Sequence, residues 1–130
     1  MKNMKTGKLF KQLLASIMIM AFITLLFLSF SPLPKATYEN CEKITGEVIN
    51  VFKGSGKNDI VINLKNDGNY YYVNRGLERG LNLEALQTQL INNNITLYYV
   101  KHWSLLDPYN KTRHVARLDF DGNKIYNEMP

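Results

Sequence analysis

The sequence predicts an N-terminal membrane-spanning helix joined to a small, mainly β domain that contains one helix. Three observations carry this. Residues 13–30 run for 18 positions without a charge and without Gly, Pro, Asn or Gln. Beyond them, short apolar runs alternate with a period of two and are separated by turn pairs such as Asp67-Gly68 and Asp121-Gly122. In one place only, Leu83, Leu86, Leu90 and Ile91 recur at helical spacing. The 130 residues suffice for one small domain besides the apolar segment.

At the helical rise, residues 13–30 cover about 27 Å, close to the roughly 30 Å of a bilayer core. Ser31-Pro32-Leu33-Pro34 then stops the helix, because proline has no N–H for the next turn. Lys2, Lys5, Lys8 and Lys11 precede the span and Lys35 alone follows it, which predicts a cytoplasmic N-terminus. Residues 1–12 are thus a basic cytoplasmic tail, 13–30 the span, 31–43 a linker and 44–130 an extracytoplasmic domain at the inner, or plasma, membrane. A cleaved signal peptide is the competing reading. Its apolar region runs to about 7–15 residues, shorter than this one, and Pro32 would directly follow the best cleavage site. An uncleaved single-pass anchor fits better, with the lipid bilayer as partner of residues 13–30.

In the outer domain a first strand opens at Ile44, with Ile44, Gly46, Val48 and Phe52 on one face and Ile49 and Val51 on the other. Gly54-Ser55-Gly56 turns the chain into a second strand, Ile60 to Lys65. Asp67-Gly68 leads to a third, Tyr70 to Arg75, and the three form an antiparallel meander. Asn82 caps the helix, Glu84 lies in its positive first turn, and Asn92-Asn93-Asn94 ends it. Ile95, Leu97, Tyr99 and Trp103 alternate along a fourth strand. A fifth runs from His114 to Asp121 and meets a short sixth through Asp121-Gly122. Ile62, Leu64, Leu86, Leu97 and Leu118 are the expected core.

This β-β-β-α-β-β order resembles the OB-fold, a partly open five-stranded Greek-key barrel. The resemblance covers about residues 44–126 and rests on element order without a diagnostic motif. It implies that the helix closes one end of the barrel. An SH3-like or split β-barrel is the alternative architecture. The chain also resembles bacterial single-pass membrane proteins that carry a small β domain outside the membrane, a likeness that brings no site residue with it.

The net charge of +5 suggests nucleic acid until its distribution is examined. After Lys35 the acidic and basic residues balance, so the domain lacks the basic footprint that phosphate binding needs. Nucleic acid is therefore an improbable partner. Cys41 is the single cysteine, which excludes an internal disulfide. His102 and His114 flank one loop and, with Asp107, are the residues that the alternative reading, a small hydrolytic or metal-dependent enzyme, would use. No pair of ligands has standard zinc spacing, and no metal or cofactor is expected. Tyr70-Tyr71-Tyr72 and Tyr98-Tyr99 suggest either ring stacking with a ligand or packing across strands, and packing is the plainer account.

Two loops attract attention instead. The segment Trp103 to Arg113 is the longest in the domain, with Trp103 at its base, Tyr109 at its tip and Arg113 at its exit. Arg75 and Arg79 lie in a second, glycine-flanked loop before the helix. Trp, Tyr and Arg are the types enriched at binding hot spots. The expected function is a non-enzymatic, membrane-anchored interaction or ligand-binding module. Its expected binding residues are Arg75, Arg79, Trp103, Tyr109 and Arg113, and its expected partner is an envelope protein.

Overall fold

The structure, a computed structural model, describes residues 2–130, with side chains from residue 6 onward. Helix α1 spans Lys2–Ser29, and its stretch Thr6–Ser29 is long and apolar enough to cross a membrane. Three of its hydroxyls bond within the helix. Ser16 Oγ, Thr24 Oγ1 and Ser29 Oγ donate to the carbonyls of Gln12, Met20 and Leu25, one turn back. The helix extends beyond the expected 13–30 at its N-terminal end, because the residues before Leu13 include nothing that breaks a helix apart from Gly7. Residues 2–32, with 104–106, form one compact unit, and residues 33–103 with 107–130 form a second.

The outer domain contains β1 (Cys41–Lys53), β2 (Ile60–Leu64), β3 (Tyr70–Val73), α2 (Leu83–Leu90), β4 (Asn94–Val100), β5 (Thr112–Phe120) and β6 (Asn123–Asn127). The sheet order is β3-β2-β1-β4-β5-β6, and β3 also pairs with β5 in parallel. That last pairing closes β1 to β5 into a five-stranded barrel and leaves β6 as an added strand beside β5. It is the barrel that the element order predicted.

Strand β1 serves two neighbours. Its first half pairs with β4, from Cys41 with Val100 to Glu47 with Asn94, and its second half pairs with β2. The register to β2 slips between Val48 and Asn50, so Ile49 is an extra residue. This bulge corrects the expected faces. Val48 and Val51 are both fully buried, while Ile49 points outward and is about half exposed. Strict alternation would have placed Val48 and Val51 on opposite sides. At Gly46 a side chain would press on Leu64 Cδ1 at 3.2 Å, so any larger residue there would have to shift Leu64.

Several expected boundaries move. Strand β1 begins at Cys41 rather than Ile44, because residues 41–43 find ladder partners in Tyr98, Tyr99 and Val100. Strand β4 ends at Val100, so Trp103, expected on this strand, lies beyond it with His102. Strand β3 stops at Val73, and Arg75 adopts a left-handed φ of 51°. In the β2–β3 turn the left-handed residue is Asn66, with φ 58°, rather than Gly68. At the β5–β6 hairpin Asp121 and Gly122 both have positive φ, as a tight primed turn requires.

Asn82 Oδ1 accepts from the Ala85 N–H at 2.9 Å and caps α2, whose Leu86 and Leu90 are buried in the core. Gln87 Nε2 donates to the Val51 carbonyl at 2.7 Å and ties the helix to the bulged strand. Ile62, Leu64, Leu86, Leu97 and Leu118 are all inside, as expected. After β6 the chain returns along β5: the Glu128 N–H donates to the Ala116 carbonyl, and Met129 packs with Val100 and Ala116.

Candidate functional site

The outer wall of the barrel carries an aromatic groove. The strand register aligns Phe52, Val61, Tyr72 and His114 across four strands, and Tyr70 opposite Thr112. Tyr71 points inward and is fully buried, which turns Tyr70 and Tyr72 outward by the period of two. Two overlapping cavities of about 280 and 310 Å3 lie along this wall under the β1–β2 loop. Phe52, Tyr70 and Tyr72 supply rings, and Ser55 and Thr112 supply hydroxyls. Asp59 is the one charged side chain of their lining; no Lys, Arg or His contributes.

The loop above the groove is braced. Asp59 Oδ1 accepts the Arg75 N–H at 2.7 Å, and the Gly54 N–H donates to the Asp59 carbonyl at 2.9 Å. A side chain at Gly56 would stand 2.0 Å from Asp59 Oδ2, so glycine admits the carboxylate at this point. Asn58 Nδ2 donates to Glu78 Oε1, and the Leu77 N–H donates to the Asn58 carbonyl, linking this loop to residues 75–79.

The five residues that the sequence nominated fall into separate settings. Arg75 uses its backbone to hold Asp59 and its exposed side chain lies 3.9 Å from Glu78. Arg79 Nη1 donates to Tyr126 Oη at 2.7 Å and to Glu128 Oε2 at 3.0 Å. Arg113 belongs to β5, with its guanidinium 4.5 Å from the Tyr99 ring centre and 5.7 Å from that of Tyr71. It also donates to Tyr71 Oη and to the Asn110 carbonyl. These last two arginines are therefore committed to contacts within the domain. Trp103 and Tyr109 are the free ones, 56% and 84% exposed.

Of His102, Asp107 and His114, the last two are held in separate contacts, and His102 lies beyond the end of β4. His114 is buried against the Tyr72 ring, and its Nε2 pairs with Glu128 Oε1. Its Nδ1 has no hydrogen-bond partner among the described residues. The Asp107 carboxylate accepts the backbone N–H groups of Lys111 and Thr112 at 3.0 and 2.7 Å. Among the described residues, no group of three His, Cys, Asp or Glu is placed to hold a metal ion. Burial pushes the Cys41 thiol up, which leaves less of the nucleophilic thiolate.

Burial also acts on the barrel's polar groups. Burial first, then the hydrogen bond to Asp67, pushes Tyr71 up to about 12. Burial and the bond to Glu42 do the same to Tyr99, also to about 12. For Glu128, burial works upward but is outweighed by hydrogen bonds from His114 and Tyr126, and its pKa is lowered. Asp67 behaves alike, with Tyr71 and Asn69 as donors. The groove meets this network at Tyr72, whose ring lies against His114 and whose pKa is raised by burial first and then by the nearby Asp59 and Glu128 charges.

Sequence reasoning noticed the tyrosine run but favoured packing, and missed that the alternation splits it. Tyr71 packs inside, while Tyr70 and Tyr72 line the groove. The signal was the period of two applied to 70–72 together with Phe52, whose place opposite Val61 and Tyr72 depends on the bulge. The molecule so far is an apolar N-terminal helix followed by an OB-type barrel with an aromatic outer groove. No family model matches the chain, no curated protein matches it, and no solved structure matches it.

Proposed function

We propose that the chain is a membrane-anchored, non-catalytic binding module whose groove holds an uncharged oligosaccharide. The observation that carries this reading is a groove lined by Phe52, Tyr70 and Tyr72 with the hydroxyls of Ser55 and Thr112 and no cation. Sugar rings offer apolar faces to aromatic side chains, and their hydroxyls suit Ser55, Thr112 and the Asp59 carboxylate. OB-type barrels bind oligosaccharides and oligonucleotides on this same wall. A nucleic acid would need cations for its phosphates, and the lining has none. The four N-terminal lysines favour an anchor with the barrel outside the cytoplasm.

Calorimetric titration of the full-length protein in nanodiscs with cellotetraose and with chitotetraose tests the ligand class. Saturable heat with either sugar, weakened at least about tenfold by Tyr72→Ala at unchanged thermal unfolding, supports it. Silence with both sugars, or undiminished binding by the variant, counts against it. For topology, a cysteine at exposed Asn123 in a Cys41→Ser background should react with an impermeant thiol reagent in intact cells. A protected site would reverse the orientation.

A further inference from the structure

We propose that the β4–β5 loop, residues 101–111, is a second membrane contact that seats in the lipid headgroup region beside the anchor. Four of the seven exposed large hydrophobic side chains after residue 36 fall in this loop, so they are concentrated rather than scattered. Trp103 is 56% exposed, Leu106 76% and Tyr109 84%. Lys101 and Lys111 bracket them. Trp and Tyr rings with a polar tip, short apolar side chains and flanking lysines are the composition that settles at a membrane–water interface.

The loop is held in this shape from within. Asp107 accepts the N–H groups of Lys111 and Thr112, the Asn110 N–H donates to the Asp107 carbonyl, and the Leu106 N–H donates to Ser104 Oγ. The carboxylate at the centre is thereby satisfied by backbone donors.

Position decides the occupant. Cys41, where the tether reaches the barrel, pairs with Val100, and the Lys101 N–H donates to the Asn40 carbonyl at 2.9 Å. The loop therefore leaves the barrel at the end to which the tether is tied. Residues 30–40 are the whole tether, and even fully extended they reach at most about 40 Å. Lys111 suits an anionic lipid surface, while Lys101 already pairs with Glu42 at 3.1 Å. A lipid surface beside the anchor is thus the partner that both composition and connectivity select.

The proposal rests on α1 being a membrane anchor, and one preparation separates the two. Full-length protein is reconstituted into vesicles of phosphatidylcholine and phosphatidylglycerol, and flotation after alkaline extraction first reports the anchor. Trp103 is the single tryptophan, so its fluorescence reports the loop alone. Lipids brominated near the headgroup end of the acyl chain should quench it at least about twofold, and aqueous iodide should quench it little. In Leu106→Glu/Tyr109→Glu the lipid quenching should fall and the iodide quenching rise. Protein that floats but shows no lipid quenching overturns the loop contact while leaving the anchor standing. So does emission shielded from iodide yet untouched by brominated lipid, which would mean that protein covers the loop. Protein that fails to float overturns the anchor and this contact together.

Discussion

Arg113 shows how neighbours decide what a side chain is for. At the exit of a long loop it reads as a binding residue, yet its planar guanidinium lies over two tyrosine rings and bonds to one of their hydroxyls. Lysine retains the charge but loses the stacked plane and the fork of donors. Arg113→Lys should therefore cost about 1–3 kcal/mol of stability, read from urea unfolding of the full-length protein in mild detergent. Equal stability would show that the stack contributes nothing. The two rings carry a pH signature as well. Tyr71 and Tyr99 are raised to about 12, so the folded state favours their neutral forms. Their contribution is fully present below the ordinary tyrosine value of about 10 and is lost as pH rises from there through about 12. The lowered Asp67 and Glu128 act with opposite sign. Their contribution is present above the ordinary carboxylate range, near 4, and is lost as pH falls below it. Unfolding midpoints measured across pH should fall at both ends. A flat profile above pH 10 would contradict the buried phenols.

At the scale of elements, α2 illustrates division of labour within a short helix. Leu86 and Leu90 are buried in the core, Asn82 Oδ1 accepts the Ala85 N–H, and Gln87 reaches the Val51 carbonyl. Leu86→Ala should cost about 2–5 kcal/mol through the cavity it opens. Asn82→Ala should cost about 1 kcal/mol, the usual loss for a cap. Both are read from the same denaturant curves, and a larger effect at the cap than in the core would invert this account. The elements also mark where the chain was readable. The stripe of α2, its cap and the Asp121-Gly122 hairpin are local signals, set by residues within one or two turns. The bulge at Ile49 is not local. It exists because β1 must pair with β4 along one half and β2 along the other, and nothing in residues 41–53 alone announces it.

For the whole molecule, the barrel core is contributed by β1–β6 and α2, with no described residue of α1 among them. Residues 33–130 should accordingly fold when produced without the helix, with cooperative thermal unfolding close to that of the full chain. A chelator should leave that transition unchanged, since nothing among the described residues gathers a metal. Loss of the fold on removing α1, or on adding chelator, would each reveal a missing support.

What the amino-acid sequence determined by itself was the class of each segment. Eighteen uncharged residues demand an apolar surrounding, alternation demands strands, and the spacing of Leu83, Leu86 and Leu90 demands a helix, because each pattern acts through the nearest few bonds. The order of those elements also sufficed for the barrel, since short connections leave few ways to bury one shared core. The tertiary structure alone decided which polar residues were already spent. Arg79, Arg113 and His114 find Glu128, Tyr71 and Tyr99 across gaps of 14 to 49 residues. The same long-range pairing set the wall on which Phe52 meets Tyr70 and Tyr72. Partners that distant are brought together by strand register, and register is a property of the closed barrel rather than of any stretch of chain.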